Sequence, residues 1–138
     1  MTKILFDTNV LSELVRPKPA PKVQAFVRAQ TDPLISALSI HELVFGAERA
    51  KEQARRTKLL SWIAGIRSQF AGRIVDVDAD IAEHAGRLRA GATSQGANTD
   101  LMDALIAACA TAKGAAIATR NIRDFAPLGV KMINPWAT

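Results

Sequence analysis

Short apolar runs alternate along this chain with segments whose apolar residues recur every three or four positions, and few folds accept that alternation. Lys3 to Phe6, Leu34 to Ala37, Arg73 to Val77, Ala115 to Thr119 and Val130 to Ile133 read as strands, too short for helices and bounded by turn residues. Between them the spacing predicts helices. Val10, Leu11 and Leu14 mark a short one, Val23, Phe26 and Val27 a second, and Leu59, Trp62, Ile63, Ile66 and Phe70 a longer one. Ser39-Ile40-His41-Glu42 has the form of a capping box and predicts the start of a helix running toward Arg49. Asp78 is expected to cap a helix that turns Ile81, Ala85 and Leu88 inward. GATSQGANT reads as a loop, and Thr99 or Asp100 as the cap of a helix through Ala112, with Gly114 at C′. Pro17, Pro19 and Pro21 make a stiff connection between the first two helices. Strands separated by helices predict βαβ units, hence an α/β fold with a parallel sheet covered on both faces.

At 138 residues, 49% apolar and 22% charged, the chain is expected to form one domain over 1–138. The single cysteine, Cys109, excludes an intramolecular disulfide and a multi-cysteine metal site, and its alanine-rich surroundings predict a buried thiol. Neither a signal-peptide pattern nor an apolar run of the ~20 residues a membrane span needs is present, which predicts a cytoplasmic protein with no membrane partner. A net charge of +5 favours polyanionic partners.

Four carboxylates then stand where apolar patterning would bury them. Asp7 ends Ile4-Leu5-Phe6, Glu42 sits in SIHELVFG, Asp103 interrupts LMDALIAACA, and Asp124 follows AAIAT in TRNIRDF. In open parallel sheets ligands bind beyond the carboxyl ends of the strands. Asp7 lies just past the first strand and Asp124 a few residues past the fourth, while Glu42 and Asp103 are placed in the first turns of helices. All four can therefore reach one mouth of one sheet. Each has a local alternative: a capping box for Glu42, a helix-start carboxylate for Asp103, an ion pair with Arg120 or Arg123 for Asp124, an Asx turn for Asp7. Taken together they predict a cluster that repels itself unless a hard cation such as Mg²⁺ or Mn²⁺ neutralises it, and so a site for metal-dependent phosphodiester chemistry. His41 and His84 read as structural residues.

FDTNVLSEL, SIHELVFG, DALIAACA, TRNIRDF and the closing MINPW resemble the PIN-domain nucleases, and more narrowly the VapC-type toxins of type II toxin–antitoxin pairs. The resemblance spans residues 5 to 136. It implies a three-layer α/β/α fold whose five parallel strands run in the order 3-2-1-4-5. It also implies Mg²⁺- or Mn²⁺-dependent cleavage of RNA by a homodimer, restrained by an antitoxin encoded beside it. By position, Asp7, Glu42, Asp103 and Asp124 match the family's metal-holding acidic quartet. Thr119, Asn121 and Asn9 match its polar companions, and Asp100 is an extra carboxylate read as a cap.

Arg120 and Arg123 flank the proposed site and are candidates for phosphate contacts. For the basic segment Arg49, Lys51, Arg55, Arg56 and Lys58, phosphate contact and a solvated helix face stand equally. Five phenylalanines, two tryptophans and no tyrosine leave no evident aromatic platform for bases. The apolar residues of the first two helices either cover the sheet or leave a groove for a partner. An aspartate-nucleophile phosphatase is the rival enzyme class, but the acid/base position two residues after Asp7 holds Asn9, which cannot transfer protons. A catalytically dead module that binds nucleic acid or antitoxin is the second rival, and the intact quartet argues against it.

Overall fold

Lys3–Phe6 (β1) is the central strand because its side chains are apolar in both directions. Leu5 points into one core, and Ile4 and Phe6 point into another on the opposite face. The structure, a computed structural model, describes residues 2–137. Among these residues β1 pairs with β2 (Leu34–Ser36) and β4 (Ala115–Ala118), β3 (Ile74–Val75) joins β2, and β5 (Met132–Ile133) joins β4. Every pairing is parallel, and the order is β3-β2-β1-β4-β5, as the resemblance implies. β1 meets β2 with Phe6 opposite Ile35, and β4 with Phe6 opposite Ala118. Strand order reverses between β1 and β4, so the crevice of this sheet opens past Phe6 and Ala118.

Helices cover both faces. On the Phe6 side lie α1 (Thr8–Leu14), α2 (Pro21–Ala29), α3 (Ala37–Glu48) and α4 (Gln53–Gln69), contributing Val10, Leu11, Val23, Leu43, Ile63 and Ile66 to that core. On the Leu5 side lie α5 (Ala79–Ser94), α6 (Leu101–Ala112) and α7 (Ile122–Phe125), followed by a 3-10 turn, Ala126–Leu128. Alanines 104, 107, 108 and 110 of α6 are buried, as are all four residues of β4, so α6 seats close to the strand. Cys109 is buried among them, with its Sγ 3.6 Å from Ser36 Oγ.

Three expectations are corrected. The cap of α3 is Ser36, whose Oγ accepts from Leu38 N–H at 3.1 Å, and not the Ser39–Glu42 capping box. Ser39 and Glu42 therefore fall inside the helix, with Glu42 in its second turn. GATSQGANT is a loop only from Gln95 onward. Burial of Ala92 in the core carries α5 through Gly91, outweighing a helical glycine's cost of about 1 kcal/mol. Gly96, at φ +84, then ends the helix: its N–H reaches Thr93 O and that of Ala97 reaches Ala92 O, the Schellman pattern. β3 and β5 are also shorter than the apolar runs that announce them, two residues each. Asp78 does cap α5, its Oδ1 accepting from Ile81 N–H at 2.9 Å. Asp78→Ala is expected to cost about 1 kcal/mol, read as a lower denaturant midpoint with an unchanged slope.

Candidate functional site

Asp7 continues β1 into the crevice. Its N–H donates to Ala118 O at 2.9 Å, extending the ladder by one rung, and its Oδ1 then caps α1 by accepting from Thr8 N–H at 2.8 Å. Oδ2 accepts from Thr119 Oγ1 at 2.8 Å and from Asn9 Nδ2 at 3.1 Å. Thr119 is fully buried, and its hydroxyl also accepts Asn121 N–H at 2.9 Å. Asn9 Oδ1 in turn accepts Arg120 N–H at 3.4 Å. Asn9, Thr119 and Asn121 thus tie the end of β4 to the end of β1 and fix the Asp7 carboxylate. Even so, burial pushes the Asp7 carboxyl above its ordinary range against the lowering effect of these bonds, and the charge on Glu42 adds to the rise.

Glu42 approaches from α3. Its Oε1 accepts from Thr8 Oγ1 at 2.6 Å, and the same Thr8 oxygen lies 2.8 Å from Ser39 Oγ. A hydroxyl has one proton, so Thr8 gives its own to Glu42 and receives that of Ser39. The serine that sequence pattern assigns to capping instead orients the carboxylate through Thr8. Asp103 enters from the first turn of α6, half-buried, with its pKa raised to about 6 by burial and by the charges of Asp100, Asp7, Asp124 and Glu42. Asp124, in the first turn of α7, is exposed.

Asp7, Glu42 and Asp103 line one hollow of about 350 Å³ at the switch point. A second hollow, lined by Asp103, Asp124, Asp100, Arg123, Asn98 and Thr99, adjoins it through the shared Asp103. Asp124 therefore faces the acidic group from the far side of Asp103 rather than from within the first hollow. Asp100 occupies the N-cap position of α6, but its side chain makes no capping hydrogen bond, so its clearest effect is on Asp103.

Arg16–Glu13 and Arg87–Glu83 form ion pairs, and among the described residues none joins a lysine or arginine to any of the four carboxylates. Negative charge is consequently left uncompensated, and the donors are all carboxylate oxygens, which suit a hard divalent cation. Among the described residues no three His, Cys, Asp or Glu side chains gather closely enough to hold a metal as they stand. Like charges without a counter-ion hold apart, and Mg²⁺ keeps several of its waters, so a splayed carboxylate set fits such an ion.

Around the rim, Arg120 and Arg123 are exposed, and neither pairs with Asp124. The guanidinium of Arg120 instead lies over the Trp136 ring, 5.0 Å from its centroid. Arg49, Lys51, Arg55, Arg56 and Lys58 line neither hollow, and Arg56 donates to Ala50 O at 2.9 Å. His41 stacks on the exposed Phe45, and neither it nor His84 lines a hollow. Sequence reasoning missed Glu13, Arg16 and Trp136, which line the first hollow. For Glu13 a signal existed: it is a carboxylate four residues after Asn9, on the same helical face.

The PIN domain model matches residues 4–129. VapC ribonuclease Y4jK of Sinorhizobium fredii is 35% identical, with 96% of this chain and 97% of that protein covered. The crystal structure of FitAcB from Neisseria gonorrhoeae superposes with a TM-score of 0.93 at 32% identity, covering 98% of this chain and 99% of that one. A toxin–antitoxin complex from Klebsiella pneumoniae superposes with a TM-score of 0.70 at 26% identity, covering 99% and 100%.

Proposed function

This chain belongs to the PIN domain family, and on that premise we propose that it is a metal-dependent endoribonuclease, one catalytic domain over 1–138 acting as the toxin of a type II toxin–antitoxin pair. The observation that carries the reading is the hollow at the switch point, which Asp7, Glu42 and Asp103 line without an ion pair to any of them among the described residues. Relatives named as ribonuclease and toxin support the activity.

Asp7, Glu42, Asp103 and Asp124 are the residues that would hold Mg²⁺ or Mn²⁺. Such a cation, when bound, polarises phosphate oxygens and makes water acidic enough to act as a nucleophile near neutral pH. The chain's own residues supply the rest. Thr119 and Asn9 hold Asp7 in one rotamer, Thr8 does the same for Glu42, and Asn121 locks Thr119. Arg120 and Arg123 bring positive charge to the rim, where RNA phosphates on either side of the scissile bond would lie. Asn9 is fully engaged as donor to Asp7 and acceptor from Arg120, so the acid/base position of an aspartate-nucleophile phosphatase is filled by an amide.

Incubating a mixed RNA pool with the purified protein tests the activity. Cleavage is expected with Mg²⁺ or Mn²⁺ and its loss with EDTA. Hydrolysis of small phosphomonoesters with RNA untouched would establish the phosphatase instead, and inertness toward both would leave the binding module.

An antitoxin encoded beside the gene is the proposed partner, supported by the similarity to a toxin–antitoxin complex. The chain has, among its described residues, no helix long and apolar enough to cross a membrane, and we place its action in the cytoplasm with RNA and antitoxin. Val10, Leu11 and Val23 are fully buried in the sheet-covering core, so a partner-binding groove on α1 and α2 has only half-buried residues such as Leu14, Phe26 and Val27 to offer. A homodimer is the proposed assembly; a strict monomer by light scattering at tens of micromolar would count against it.

A further inference from the structure

Trp136 is held more firmly than a side chain near a chain end requires. Asn134 Oδ1 accepts Trp136 N–H at 3.0 Å, Pro135 before it is fully buried, and the indole packs against the core that contains Phe6. Glu13 and Trp136 line the same hollow. Glu13 is itself buried and fixed by Ala20 N–H at 2.8 Å and by Arg16 at 3.3 Å. Backbone and packing therefore set the place of the ring before any ligand arrives.

The Arg120 guanidinium rests on that ring and not on a carboxylate, although the hollow it lines is rich in them. An arginine free to move among uncompensated carboxylates would pair with one. Held over the indole, it is kept off Asp7, Glu42 and Asp103, and the residue stays exposed to solvent. A guanidinium held over an aromatic ring, at the rim of an acidic hollow of about 350 Å³, matches what an unpaired nucleotide needs: a flat group for the base and N–H donors for the backbone.

We propose that Arg120 and Trp136 form a stacking platform for an unpaired RNA base beside the scissile phosphate. The inference rests on the ribonuclease reading and deepens it to single-stranded substrate held at one defined place. Composition alone leaves such a platform without an evident source. One tryptophan suffices when the fold sets it at the mouth of the site.

The test uses tryptophan fluorescence in a Trp62→Phe background, where Trp136 is the sole emitter. In EDTA, a single-stranded RNA of about 12 nucleotides is expected to quench that emission, and the same strand annealed to its complement is not. With Mg²⁺, Trp136→Leu keeps apolar bulk but loses the π face, and is expected to raise KM roughly 5- to 100-fold with a much smaller change in kcat. Trp136→Phe should restore most of the loss. Arg120→Lys, which keeps the charge and loses the plane, should resemble Trp136→Leu. A wild-type KM in Trp136→Leu, equal losses in the Leu and Phe variants, or absence of quenching would each overturn the platform. Variants that bind RNA normally yet fail to capture the antitoxin would assign the surface to that partner instead. If the protein cleaves RNA but shows none of these effects, only the platform fails; if it neither cleaves nor binds RNA, the ribonuclease reading fails with it.

Discussion

Asparagine at position 103 is expected to abolish RNA cleavage and, in the same molecule, to make the metal-free protein harder to melt at neutral pH. Both effects follow from one cause. Asp103 stands half-buried amid Asp100, Asp7, Asp124 and Glu42, without an ion pair among the described residues, and its pKa is raised to about 6. The folded state thus binds the Asp103 proton more tightly than the unfolded chain, whose aspartates titrate near pH 4. Stability from this group is complete below about pH 4 and is lost as pH rises through about 6. Asp7, also raised by burial, contributes with the same sign. Asp103→Asn removes the ionisation, so melting curves in EDTA from pH 4 to 8 should fall less steeply for the variant than for wild type. Mg²⁺ should raise the melting temperature of wild type at pH 7.5 and do little for the variant. Cleavage should fall at least about a hundredfold, since even changes outside the ligand shell bring losses of that size at metal sites. Asp7→Asn should lose activity equally. A variant that is fully active, or one that is less stable than wild type in EDTA above pH 6, would remove Asp103 from the charge cluster.

How much of this was legible in the sequence depends on which force decides each element. The central strand was legible because burial on both faces leaves an uninterrupted apolar run, and its carboxyl end was legible because Asp7 breaks that run where a buried charge is costly. The reach of α3 and α5 was less so, since local capping signals compete with burial. Ser39 has the spacing of a cap, yet Ser36 caps the helix because the strand ends there and the chain must turn at once. Gly91 and Thr93 read as loop, yet the burial of Ala92 keeps them helical. The second role of Ser39, donating to Thr8 and through it steadying Glu42, joins residues 31 and 34 positions apart, which no local pattern reports. Trp136 is illegible for the same reason: its neighbours Glu13 and Arg120 lie on α1 and just past β4, and only the folded sheet brings residue 136 to them.

Phe6→Ala is expected to produce the largest loss of stability of any single truncation on β1. Phe6 is fully buried, meets Phe70 edge-on at 6.3 Å and Phe26 tilted at 6.3 Å, and lies between Ile35 and Ala118 in the sheet. Removing a phenylalanine from such a core costs about 3–5 kcal/mol, a large share of the roughly 5–15 kcal/mol that holds a domain together. Phe45, 56% exposed on α3, is the control: Phe45→Ala should shift the denaturant midpoint by less than about 0.5 kcal/mol equivalent. Phe6 also precedes Asp7, so a loss of cleavage in Phe6→Ala would by itself be ambiguous between a displaced carboxylate and an unfolded chain. Linkage separates the two. A ligand that binds only the folded state restores a destabilised variant by mass action. Saturating Mg²⁺ together with a lower temperature should therefore return most of the cleavage to Phe6→Ala while leaving Asp103→Asn inactive. If Phe6→Ala remains folded by circular dichroism under those conditions and still fails to cut RNA, Phe6 positions Asp7 as well as filling the core, and the strand end is a tighter determinant of the site than packing alone requires.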